Sequence, residues 1–163
     1  MTRWRTISFG CLFLVASCMA FSFVHPWGNV RSVAPGGKIL EGSAMPDDVR
    51  SVLERKCADC HSNHTHWPAY SRLAPISWLT ERDVQAGRSA LNLSAWAGMD
   101  TQGRIAALAE IAAEVRSGEM PPKPYARMHA AFLSESDKQE ITAWSRAERK
   151  RLRAQTSGER DKK

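Results

Sequence analysis

Cys57-Ala58-Asp59-Cys60-His61 governs how the rest of the chain is read. It is a C-x-x-C-H pattern, the attachment pattern of a c-type haem. Two thiols three positions apart reach two vinyl groups of one porphyrin. The imidazole of the next residue is then held against the ring, where it serves as proximal iron ligand. Cys57 and Cys60 are therefore expected to carry thioethers, and His61 to bind iron. The pattern occurs once. One covalent haem c is expected, and internal electron paths between several haems are not.

Two other chemistries compete for these residues. His64 and His66 complete a Cys2His2 set with Cys57 and Cys60, but structural zinc sites space their pairs more widely. A thioredoxin-like redox pair belongs beside a βαβ pattern, and none is written here. His64 and His66 lie too close to His61 to cross a porphyrin. They read as surface residues, or as partners of a haem propionate. Arg72, Arg82 and Arg88 are equal candidates for that last role.

Moving outward, Pro46, Asp47 and Asp48 suit a helix start, and Val49, Val52 and Leu53 form a stripe that runs to Cys57. The haem domain is expected to begin at Met45. Beyond the motif, residues 62–78 hold two tryptophans, a tyrosine and two prolines, an aromatic loop suited to walling a flat ring. A helix is expected next, capped by Ser77 or Thr80, burying Trp78, Leu79, Val84 and Leu91. Gly87 interrupts it, for close packing or as a weak point. Asn92 to Trp96 reads as a turn with an aromatic plug, and Ser94 is a possible cap. The clearest helix is 104–117, with Ile105, Leu108, Ile111 and Val115 on one face and Gly118 as its C-cap. A last helix is expected after Leu133, with Ser136 and Gln139 as a capping box and Ile141 and Trp144 packed inward.

The iron needs a sixth ligand from far along the chain. Met120 lies 59 residues after His61, in the run Glu119-Met120-Pro121-Pro122-Lys123-Pro124. The prolines forbid helix and stiffen the loop, which makes its methionine a poor core filler and a good ligand. Met45, Met99, Met128 and His129 are the rivals.

At the N-terminus, Arg3 and Arg5 precede eighteen uncharged residues, 7–24. An uncleaved membrane helix is the preferred reading, with the arginines cytoplasmic and Trp27 at the far interface. Val15-Ala16-Ser17-Cys18 resembles a lipobox, so lipid anchoring at Cys18 is the alternative. Simple secretion is the third reading, disfavoured because the apolar run ends without a cleavage site. All three deliver the body to the periplasm, where bacteria attach c-type haem. The expected organisation is 1–24 anchor or signal, 25–44 linker, 45–150 haem domain and 151–163 a basic, disordered tail.

Composition agrees with a folded chain. Of its 163 residues 43% are apolar and 25% charged, so the chain as a whole is not a disordered one. From Ala143 onward eight basic residues face three acidic ones, which accounts for most of the net charge of +6. That end reads as a solvated helix face, or as contact for acidic lipid or protein. Nucleic acid is not expected as a partner.

Several uncommon runs occur in one order: CADCHSNHTHWP, YSRLAPISWL, DVQAGRSALNLSAW, GEMPPKPY and LSESDKQEITAW. Across residues 25–144 the chain resembles the bacterial haem-binding domain family, small membrane-anchored proteins similar to c-type cytochromes. The resemblance implies haem attachment at Cys57 and Cys60, ligation by His61, and a distal role for Met120 in the M-P-P motif. One departure is Ala69, where a second tryptophan is expected, which leaves the aromatic wall more open. The expected fold is mostly α, a cytochrome c-like helical domain around one haem, preceded by the membrane helix. The expected function is one-electron transfer with His/Met ligation to an unidentified redox partner, rather than enzymatic turnover. A haem-based small-ligand sensor or weak peroxidase with a labile distal bond is the alternative.

Overall fold

The computed structural model describes residues 2–34 and 36–160, without the side chains of residues 2–6 and 159–160. Arg3, Arg5, Arg160, Lys162 and Lys163 therefore lie outside the described side chains. Among the described residues there are seven α-helices and no strand, as expected for a mostly α chain. They are α1 (Thr2–Phe21), α2 (Asp47–Lys56), α3 (Ala58–His61), α4 (Ile76–Ala90), α5 (Thr101–Ser117), α6 (Lys123–His129) and α7 (Glu135–Arg160).

The core is built by α2, α5 and α7. Val49, Val52 and Leu53 of α2 meet Ile105, Leu108 and Val115 of α5 and Ile141, Trp144 and Leu152 of α7. Asp47 and Asp48 occupy the first turn of α2 and Arg55 and Lys56 its last, each sign matching the helix dipole. Asp100 caps α5 by accepting from the Gly103 amide at 2.6 Å, which moves its start forward to Thr101. Gly118 ends it at φ 74°, a left-handed conformation that glycine adopts without steric cost. Trp96 plugs the core from the 3-10 turn Leu93–Gly98, which Asn92 caps instead of Ser94.

Several expectations are corrected. The capping box of α7 is Ser134 with Asp137, not Ser136 with Gln139. Ser134 Oγ accepts from the Asp137 amide, and the Ser134 amide donates to Asp137 Oδ2. In α4, neither Ser77 nor Thr80 caps. The helix starts at Ile76 behind Pro75, and this frame buries Ser77, Glu81 and Val84 while Leu79 stays exposed. Residues 25–44, expected as a linker, carry Val30, Ile39 and Leu40 into buried positions, and the Leu40 amide donates to the Leu93 carbonyl. The tail expected to be disordered from 151 continues α7 to Arg160, because Leu152 still reaches the core.

The expected membrane-spanning helix is not found: among the described residues no helix is long and apolar enough to cross a membrane. The apolar run is eighteen residues, but the helix stops at Phe21. Its uncharged helical part, residues 7–21, rises roughly 22 Å, against about 30 Å of hydrocarbon in a bilayer. The far end of α1 docks on α4. Phe21 meets Trp78 edge-on at 5.9 Å, the Trp78 indole donates to the Val24 carbonyl, and Ser22 Oγ accepts from the Ala74 amide.

Candidate haem site

The C-x-x-C-H residues form a single turn between α2 and the loop that follows. The Cys57 amide donates to the Leu53 carbonyl, closing α2, and the His61 amide donates to the Cys57 carbonyl at 3.0 Å. Cys57 and Cys60 stand three apart on this turn, so their thiols share a face. Both are free thiols. Burial is the main cause that pushes Cys57 up to about 12 and Cys60 up to about 11. Each also feels a neighbouring charge, Cys60 on Cys57 and Asp59 on Cys60. At neutral pH both are thiols, not thiolates.

His61 is oriented from behind. Its Nδ1 lies 3.0 Å from the Leu91 carbonyl. A carbonyl can only accept, so Nδ1 carries a proton, and in the neutral ring Nε2 is then the nitrogen with the lone pair. This backbone bond is the kind that fixes a metal-binding histidine.

Helix α4 provides the back wall. A Cβ built on Gly87 would stand 2.6 Å from the Cys60 carbonyl oxygen and 3.0 Å from Cys60 Cβ. Only glycine lets the two backbones approach so closely. The two uses open to Gly87 in the sequence thus resolve to close packing. One residue on, Arg88 donates to the Ser62 carbonyl (2.8 Å), the Val30 carbonyl (2.7 Å) and Thr65 Oγ1 (2.9 Å). It clamps the chain as it leaves the motif. On the entry side, Lys56 donates to Asp137 Oδ2 at 2.9 Å and to the Phe132 carbonyl at 2.8 Å, tying the motif to α7.

A buried carboxylate strengthens the same wall. Glu81 is fully buried; it is 2.7 Å from Arg31 Nε and 3.0 Å from His25 Nδ1. Arg31 also lies over the Trp67 ring at 4.0 Å and donates to the Ser71 carbonyl. Sequence reading missed this knot. Its members are 50 and 56 residues apart, and a glutamate in a helix reads as solvent-facing.

The propionate candidates separate by their contacts. Arg88 is committed to the loop. Arg82 pairs with Asp83, Arg72 is exposed, and His64 Nε2 meets the Gly36 and Gly37 carbonyls. His66 is exposed, and its amide donates to Asp59 Oδ1. No cluster of three or more metal-holding side chains occurs among the described residues, so Cys57, Cys60, His64 and His66 are not drawn together there. The aromatic loop is partly occupied: Trp67 by Arg31, Tyr70 by His129.

Met120 is half-buried just beyond α5, its amide 3.4 Å from the Glu114 carbonyl. Its rivals have other employment. Met45 is buried in the core, Met99 packs against it, and Met128 is 67% exposed. His129 stacks on Tyr125, with ring centroids 4.4 Å apart. Tyr125 donates to Asp59 Oδ2 at 3.1 Å, which brings the helix after Met120 against the haem motif.

The donor set fits a covalently held haem. Two protonated thiols share a face, and an imidazole beside them has its Nδ1 engaged and its Nε2 free for iron. No curated protein and no solved structure matches the chain. The family model of the haem-binding domain, however, matches residues 16–147, which is most of the chain, and it contains every residue of this site. With a helical fold around a turn so equipped, the chain belongs to the haem-binding domain family.

Proposed function

We propose that the chain holds one haem c through thioethers at Cys57 and Cys60, with His61 as proximal and Met120 as distal iron ligand. Its proposed role is one-electron transfer outside the cytoplasm, to a redox partner protein. The observation that carries this reading is the 3.0 Å bond from His61 Nδ1 to the Leu91 carbonyl, on the same turn as two free thiols. In forming each thioether, the thiol hydrogen goes to one vinyl carbon as the sulfur bonds the other, so no oxidant is consumed. When bound, haem supplies a one-electron iron couple. The chain's part is to orient His61, exclude water with Trp96 and the α4 wall, and offer a thioether at Met120 that stabilises the reduced state relative to a second histidine.

Thioether formation in bacteria takes place outside the cytoplasm, which supports a periplasmic domain. Phe9, Leu12, Phe13 and Leu14 of α1 are each more than 60% exposed. Such a surface supports attachment to the inner membrane through α1, with lipid attachment at Cys18 as the other route. Fractionation of cells, before and after a high-salt wash, checks this.

The visible spectrum of the full chain, matured with haem, tests the main reading. A low-spin reduced form, a sulfur–iron charge-transfer band when oxidised, and indifference to carbon monoxide are expected. Cys57→Ser and Cys60→Ser should weaken covalent retention of haem under denaturing conditions. Rapid carbon monoxide uptake by the parent protein overturns electron transfer in favour of a small-ligand sensor.

A further inference from the structure

The helix that follows Met120 is fastened to the haem motif itself. Pro121, Pro122 and Pro124 lie between Met120 and Tyr125. Five residues span about 18 Å at most, and prolines remove much of the remaining freedom. Wherever Tyr125 is fixed, Met120 is held within a short radius.

Tyr125 is fixed twice. Its hydroxyl donates to Asp59 Oδ2 at 3.1 Å, and Asp59 stands between the two cysteines. Its ring stacks on His129 with the planes 20° apart. His129 Nε2 lies 2.5 Å from the Tyr70 hydroxyl of the aromatic loop. Asp59 is itself immobilised: its Oδ1 accepts from the His66 amide at 2.8 Å, and its carbonyl accepts from Thr65 Oγ1 at 2.6 Å. Burial and the Asp59 charge both hold the Tyr125 phenol above its ordinary range, so it stays a donor. Little else holds α6. Ala126 is its buried residue, while Arg127, Met128 and His129 are exposed.

We propose that Tyr125 and Asp59, backed by His129 and Tyr70, form a clasp that positions Met120 for the iron. The clasp rests on distal ligation by Met120 as proposed above. It makes the sixth bond depend on a hydrogen bond to the attachment motif. Tyr125 and Asp59 are positioning residues and touch no iron.

The test uses the full-length, haem-loaded chain. Tyr125→Phe keeps the stacked ring and removes the hydroxyl. Unchanged covalent haem, a weakened sulfur–iron band and roughly tenfold faster carbon monoxide uptake by the reduced protein are expected. In Asp59→Asn the amide oxygen can still accept from the His66 amide while its NH2 donates to the Tyr125 hydroxyl. The link is kept with its direction reversed, so the variant should behave as the parent, whereas Asp59→Ala should follow Tyr125→Phe. Amide hydrogen exchange over residues 119–129 should rise roughly tenfold in Tyr125→Phe and not in Asp59→Asn. Parent-like spectra, uptake and exchange in Tyr125→Phe overturn the clasp, while Met120→Ala alongside still turns the haem high-spin. An unchanged spectrum in Met120→Ala overturns Met120 ligation, and the clasp with it. If Tyr125→Phe fails to accumulate, Tyr70→Phe should show the same changes in smaller degree, and parent-like behaviour there overturns the clasp.

Discussion

Around His61 the chain is held by close backbone packing and by Arg88, and around Met120 by a phenol and the groups stacked behind it. On the His61 side, α4 meets Cys60 at a distance that excludes a single methyl group, and Arg88 ties three separate segments together. On the Met120 side, a proline-rich loop joins a seven-residue helix whose hold is a phenol, a stacked imidazole and a buried alanine. The first arrangement holds its imidazole from the backbone behind it. The second can shift without disturbing the core. Under the proposed ligation, a fixed proximal side beside a releasable distal side lets one fold serve either electron transfer or ligand binding, with the choice made on the Met120 side.

The largest expected effect concerns the thiols. In the haem-free chain at pH 8, a Cys57 pushed up to about 12 holds so little thiolate that alkylation should run roughly a thousandfold slower than for an ordinary thiol. Mass spectrometry of timed iodoacetamide reactions checks this, and ordinary reactivity would mean that the His61 side is open. The same shift sets a pH dependence. Both thiols ionise later folded than unfolded, so stability is complete below about pH 9 and declines as pH rises towards 11 and 12. Alkaline unfolding curves should lose that slope in a Cys57→Ala, Cys60→Ala double variant.

Gly87→Val comes next. Its side chain must displace the Cys60 backbone, at a cost of about 3 kcal/mol in urea unfolding, with a fall in covalent haem yield. A loss under about 0.5 kcal/mol would show that α4 does not seat on the motif. Arg88→Ala follows at about 2 kcal/mol, because it strands the buried acceptors of Ser62 and Val30. Smallest is Met120→Ala, expected to cost no more than about 1 kcal/mol in the haem-free chain while changing the spectrum of the loaded one. If Met120→Ala proves as damaging as Gly87→Val, the contrast between the two sides fails.

Local chemistry was readable in the sequence. Asp47, Asp48 and the Val49, Val52, Leu53 stripe marked α2, Gly118 marked the end of α5, and C-x-x-C-H marked the turn at its heart. What escaped depends on partners distant in sequence. Ser134 and Ser136 are equal as residue types, and Asp137, held also by Lys56 from 81 residues earlier, favours Ser134. Ile39 and Leu40 are two apolar residues in a glycine-rich stretch, too few to show a period, yet Leu40 is 1% exposed. The burial of Glu81 and the bond from Tyr125 to Asp59 arise only after the chain has folded back over 50 residues or more. Periodicity reports which face is apolar; it is silent about a carboxylate whose cations arrive from elsewhere.

The notch at Gly87 also narrows what can be written at that position. Once α4 has seated, the Cys60 carbonyl faces a backbone with no room for a single carbon between them. Alanine, the smallest change, already meets the main chain and not a side chain that can turn aside. The identity of residue 87 is therefore set by a cysteine 27 residues earlier in the chain.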